Sequence, residues 1–138
     1  MSKPLLLALT LALCAAIPGA TAGGAASAAP LSGPEIQARA GEFRGDAQGY
    51  TGFESHIWKL APGGQARAIV MIKQGLSALN GVTIETGDTG SWSIQGNMLC
   101  VDWAGRNRHF SGCYAVEAGP GNHVRLVGPA QWEGTLDR

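Results

Sequence analysis

Between Trp92 and Leu126 apolar and polar residues alternate through three successive turn signals, and no other feature limits so strongly what this chain can become. A strand points successive side chains to opposite faces, so a one-residue slip at any turn would move that hairpin's apolar residues to the polar side. With Gly96 and Asn97 as a two-residue turn, glycine first as a type II′ turn requires, Ile94 faces Leu99 and Trp92 faces Val101. With Cys100 opposite Cys113, the next hairpin has Arg106 and Asn107 at its tip and Trp103 facing Phe110. A third hairpin around Gly119, Pro120 and Gly121 sets Val116 opposite Val124 and Tyr114 opposite Leu126. The three registers agree on one apolar face: Trp92, Ile94, Leu99, Val101, Trp103, Phe110, Tyr114, Val116, Val124 and Leu126. Ser91, Ser93, Asp102, Ser111, Glu117 and Arg125 fall on the other, together with both cysteines, so a bridge between them would clamp the sheet from outside. A last strand places Trp132 and Leu136 together, with Gln131, Glu133 and Thr135 opposite.

Upstream, a three-residue turn at Pro62, Gly63 and Gly64 pairs Leu60 with Ala66, Trp58 with Ala68 and His56 with Val70. Its other face carries Ile57, Lys59, Arg67, Ile69 and Lys73, a poorer segregation. Residues 74–88 are interrupted by glycines and Asn80, which leaves a lid-like loop or an irregular strand open there. Before all of these, Ser32 and Glu35 have the spacing of a capping box, Pro34 suits a first turn, and Gly41 stops the pattern, which predicts one short helix. Seven or eight short strands with turn signals between them imply a mainly β domain, a barrel or a sandwich. The continuous meander favours an antiparallel up-and-down barrel or half-barrel, loosely lipocalin-like.

The start of the chain bears on compartment. Lys3, the apolar run Leu5–Ile17, the helix-breaking Pro18-Gly19 and the small residues Ala20, Thr21 and Ala22 are ordered as in a cleavable signal peptide. Cleavage is expected after Ala22, with Ala28 the second choice; residues 1–22 are then the signal, 23–34 a flexible Gly/Ala/Ser/Pro leader, and 35–138 one β domain. The apolar run is well short of the ~20 residues that span a bilayer, and Leu13 before Cys14 argues against lipidation. A periplasmic or secreted protein follows. Removing Cys14 with the signal leaves Cys100 and Cys113, an even pair in an oxidising compartment, and a disulfide between them is expected. Ten Lys and Arg balance ten Asp and Glu, and losing Lys3 tips the remainder only slightly acidic. Such a balance carries no electrostatic footprint for nucleic acid or an anionic membrane.

Gly90, Trp92, Ile94, Gly96, Asn97, Leu99, Cys100 and Trp103, then Cys113, Tyr114 and Val116, preceded by Trp58 and the Pro62-Gly63-Gly64 turn, resemble a family of small exported proteobacterial proteins of uncharacterised function. The resemblance covers most of the chain after the leader. It bears on fold alone, because every matching position is a turn, core or cysteine residue.

No G-x-S-x-G, no H-E-x-x-H and no remaining free cysteine points to nucleophilic or zinc chemistry, and no cofactor motif is present. His56, His109 and His123 lack metal-site spacing. Glu54 and His56, two apart on one strand, share the face of Trp58 and Leu60. They form either a general-base pair, a polar anchor inside an apolar pocket, or a wet pair at a barrel rim. Arg106, Arg108 and His109 could meet an acidic partner or a carboxylate-bearing ligand, or be a solvated loop. The preferred reading is a non-catalytic envelope module that binds a small apolar or aromatic ligand or a protein partner, with Glu54, His56, Trp58, Trp103, Arg106 and Arg108 as candidate binding residues. The alternative is a small hydrolase or isomerase using Glu54 and His56.

Overall fold

In the computed structural model, which describes residues 29–47, 53–73 and 83–138, the alternating segments form eight antiparallel strands closed into a barrel. The strands are β1 (Glu42–Ala47), β2 (Phe53–Leu60), β3 (Gln65–Lys73), β4 (Thr83–Gln95), β5 (Met98–Trp103), β6 (Gly112–Ala118), β7 (His123–Val127) and β8 (Gln131–Asp137). Each pairs with its neighbours in sequence, and β1 closes the ring on β8. Closure decides between barrel and sandwich, and it leaves no sheet edge at the β1–β8 seam. The expected signal peptide (residues 1–22) and residues 74–82 lie outside the described residues; residues 83–88 belong to β4.

The Leu60–Ala66, Trp58–Ala68 and His56–Val70 pairs are present, as are Trp92–Val101, Ile94–Leu99 and Cys100–Cys113. Gly96 opens the β4–β5 turn at φ +61°, the conformation that makes glycine the residue of choice at the first position of a type II′ turn. The third hairpin differs by two residues: Val116 pairs with Leu126, and Ala118 with Val124. Its turn closes one position later than expected, with the His123 amide donating to the Pro120 carbonyl at 3.1 Å and the Gly119 amide to the His123 carbonyl at 2.8 Å. A two-residue shift preserves parity, so every side chain keeps its face.

The expected Arg106–Asn107 hairpin tip is instead a 3-10 helix, Arg106–Phe110, and the β5–β6 ladder ends at Val101–Gly112. Trp103 and Phe110 are therefore not strand partners. The Trp103 amide donates to Ser111 Oγ (2.8 Å), taking the bond a longer ladder would have used.

The short helix is α1 (Gly33–Arg39), with Ser32 at its N-cap and the Glu35 carboxylate accepting from the Ser32 amide (2.7 Å) and hydroxyl (2.8 Å). Within the stretch read as leader, Pro30 bridges to Glu117 and the Leu31 amide donates to the Val116 carbonyl. Leu31 and Ile36 are buried in the core, and the Gly33 amide bonds Asn97 Oδ1 (2.9 Å) in the β4–β5 turn. The helix thus stoppers the end of the barrel where the β2–β3, β4–β5 and β6–β7 hairpins turn. The opposite end carries the Arg106–Phe110 turn and the starts of β2 and β4.

Inside, Trp58, Trp103, Trp132, Tyr114, Phe43, Phe110, Leu99, Leu126 and Leu136 are buried almost completely. Gly45 and Gly134 face each other across β1 and β8 on the inward side. A Cβ at Gly45 would strike the Phe43 ring, and one at Gly134 the Arg44 carbonyl, so this seam is closed by backbone and its space goes to aromatic rings. Outside, Cys100 and Cys113 are joined by a disulfide with Cα atoms 4.0 Å apart. It staples a ladder of only four residue pairs, Met98–Ala115 to Val101–Gly112.

Candidate functional site

Glu54, His56 and Trp58 occupy alternate positions of β2, and all three side chains turn into the barrel near the end opposite α1. They form a hydrogen-bonded chain. The Trp58 indole Nε1–H, which can only donate, gives its hydrogen to His56 Nδ1 at 3.2 Å. Nδ1 must therefore be unprotonated, and the ring's other nitrogen, Nε2–H, donates to Glu54 Oε1 at 2.6 Å. The arrangement selects one neutral tautomer. His56 is 1% exposed, and burial pushes its imidazole below the usual histidine range, with nearby His109 acting the same way and Glu54 pulling against both.

Aromatic rings hold the imidazole in place. Its ring centre lies 4.6 Å from that of Trp132 and 5.3 Å from that of Phe110, both in edge-on orientations. Trp58 lies 5.1 Å from Trp132, 4.9 Å from Phe43, 5.6 Å from Trp103 and 5.9 Å from Tyr114. The rim reading of the pair thus fits only Glu54, whose side chain keeps 20% of its surface exposed. Both nitrogens of His56 are occupied and it meets almost no solvent, so the imidazole has no lone pair to offer a substrate. The candidate contact residues Trp58 (0% exposed) and Trp103 (1%) meet other rings rather than solvent.

Arg106 and Arg108 stand exposed on the 3-10 turn, whose Asn107 and Phe110 point inward. Sequence reasoning named the two arginines but missed what supports the turn that carries them. Asp88, buried at 8% exposure, accepts from the backbone amides of Thr89 (2.8 Å) and Gly105 (3.0 Å) through Oδ1 and of Asn107 (2.9 Å) through Oδ2. Two of these donors lie 17 and 19 residues away, so no local motif could have revealed the contact. His109 donates from Nδ1 to the Arg106 carbonyl at 3.0 Å, and its ring centre is 3.9 Å from that of Phe110. The turn is thereby packed, through Phe110, onto the Trp132 and His56 rings.

Two buried donors inside the barrel, Trp103 Nε1 and Trp132 Nε1, make no hydrogen bond among the described residues. Among the described residues no group of histidines, cysteines or carboxylates is arranged to hold a metal ion, and no helix is long and apolar enough to cross a membrane. His123 sits on the outer wall, 3.8 Å from the Glu133 carboxylate. No known protein family, curated protein or solved structure matches this chain.

Proposed function

We infer that this protein is an exported, non-catalytic β-barrel module that binds a partner in the cell envelope. The observation that carries the reading is the saturated Trp58–His56–Glu54 chain. A general base needs a nitrogen within reach of a substrate proton, and this imidazole spends one nitrogen on an indole and the other on a carboxylate. The same residues serve well as a polar brace that fixes the register of rings in a packed interior. Export rests on the order of charged, apolar and small residues before Gly23 and on the Cys100–Cys113 disulfide, which belongs to an oxidising compartment.

A protein partner is the first reading, since the exposed features of the described barrel are on its walls and turns. A small aromatic ligand with a hydrogen-bond acceptor is the second, favoured by the indole donors of Trp103 and Trp132, which have no hydrogen-bond partner among the described residues. Native mass spectrometry of the protein recovered from its own periplasm tests both: a retained subunit supports the first, a retained small mass the second. N-terminal sequencing of the same sample should begin at Gly23 or Ala29, and an intact residue 1 would overturn export. Finding a hydrolytic or isomerising turnover that vanishes in His56→Gln, with melting temperature maintained, would overturn the non-catalytic reading.

A further inference from the structure

Every outward position of the Arg106–Phe110 turn is basic. Residues three apart eclipse one another in a 3-10 helix. Asn107 and Phe110 accordingly form the buried side and leave Arg106, Arg108 and His109 outside. Several other cations of the described barrel face carboxylates: Arg44 on Glu42, Arg125 on Glu117 at 2.7 Å, and Lys59 opposite Glu42 in the strand register, whereas Arg67 lies between Lys59 and Thr89. The Arg106 side chain makes no hydrogen bond or ion pair among the described residues. The Arg108 guanidinium bonds the Ala104 carbonyl at 3.0 Å, which orients it, and meets no carboxylate among the described residues.

The turn is also rigidly built. Asp88 spends both oxygens on backbone amides, so it anchors the turn instead of pairing with either arginine. Burying a carboxylate is costly unless it is fully hydrogen-bonded, and a loop that merely stays soluble has no use for such an anchor. Gly105 is part of the fit, because a Cβ there would press on the Asp88 carboxylate.

We propose that this turn is a docking surface for an acidic protein segment, with Arg106 and Arg108 taking its carboxylates and Asp88 acting as the positioning residue that holds them in place. The proposal rests on the partner-binding reading above and adds the face used and the partner's chemistry. Guanidinium forks match carboxylates in a two-bond geometry that favours fixed over mobile arginines. With ten basic against ten acidic residues in the chain, attraction to an acidic segment is local to this turn and not a property of the whole surface.

The test is titration of the mature protein with a short oligo-glutamate peptide, followed by calorimetry and by backbone NMR shifts. The amides of residues 105–110 should move most. The double variant Arg106→Gln/Arg108→Gln should weaken binding by about tenfold or more and flatten its salt dependence. Asp88→Asn, with both arginines kept, should weaken binding severalfold while leaving the salt slope unchanged; a flattened slope would remove its positioning role. Lys59→Gln/Arg67→Gln, the directly opposed basic pair on the β2–β3 wall, should leave affinity within about twofold. Equal losses from the two double variants would overturn the proposal in favour of diffuse attraction. Inorganic phosphate moving the same amides as strongly as the peptide would overturn the protein partner in favour of a free anion. A partner retained in native mass spectrometry that survives Arg106→Gln/Arg108→Gln would discard this face while leaving the module reading intact.

Discussion

The two ends of the barrel are closed in opposite ways. At one end the α1 segment brings Leu31 and Ile36 against the core, with the Glu35 carboxylate accepting from Ser32 and Asn97 of the β4–β5 turn accepting from the Gly33 amide. At the other end the closing turn is held by a buried carboxylate, and beneath it a histidine is wired between an indole and a glutamate. An apolar stopper needs only burial to be stable. A polar closure is stable only while every partner is present and in the correct protonation state. The helix end therefore belongs to stability, and the turn end is where charge, pH and substitution can change the molecule's behaviour.

The strongest way to break this comparison is to empty each closure in turn. Phe110→Ala should cost about 3–5 kcal/mol and Ile36→Ala about 2–5 kcal/mol in urea unfolding. Only Phe110→Ala should also reshape the near-ultraviolet dichroism of the tryptophans, because its ring touches Trp132 at 4.9 Å. Equal spectral changes from both would mean the ends are not separable.

Reducing the Cys100–Cys113 bridge, which closes a separation of 13 residues, should cost about 3 kcal/mol on the chain-entropy account. The bridge staples the ladder that leads into the Arg106–Phe110 turn. Amide exchange there should accelerate more than in α1, and intact mass with and without reductant confirms that one bridge was present.

A smaller effect sharpens the comparison through pH. His56 is held neutral in the folded barrel below its usual range, whereas in the unfolded chain it takes a proton near pH 6.5. As pH falls below about 6.5 the unfolded state binds the extra proton and the folded state does not, so this contribution to stability is complete above that pH. It declines with acidification until the folded imidazole also protonates. His56→Gln keeps one acceptor and one donor and removes the titration. Its denaturant midpoint should fall less between pH 7 and pH 5 than that of the wild type, and an unchanged slope would remove His56 as the cause. His56→Ala should destabilise at every pH, since it leaves the Trp58 indole and the Glu54 carboxylate without their partner. Smallest of all, Arg106→Gln should change stability by no more than about 0.5 kcal/mol, as an exposed side chain with no hydrogen bond or ion pair among the described residues should.

Much of the barrel wall was legible because alternation is a local property, checkable turn by turn. The β6–β7 register shows its limit: Gly119, Pro120 and Gly121 marked a turn without saying which residue closes it, and only the preserved parity saved the face assignment. Of the candidate site, Glu54 with His56 was legible as a pair on one strand, but not as geometry. Strand spacing put Glu54, His56 and Trp58 on one face. It did not say whether that face would be wet at a rim or shut behind Phe110 and Trp132.

By itself the sequence determined the parity of the strands, the outward placement of Cys100 and Cys113 and the helix start at Ser32. Each follows from interactions between residues close in sequence or from a period of two. Only the tertiary structure decided that β1 meets β8, that Asp88 reaches Gly105 and Asn107, and that the His56 imidazole is left with no free nitrogen. Those contacts join segments brought together by barrel closure, and closure depends on the summed packing of every inward ring, which no single stretch of sequence encodes.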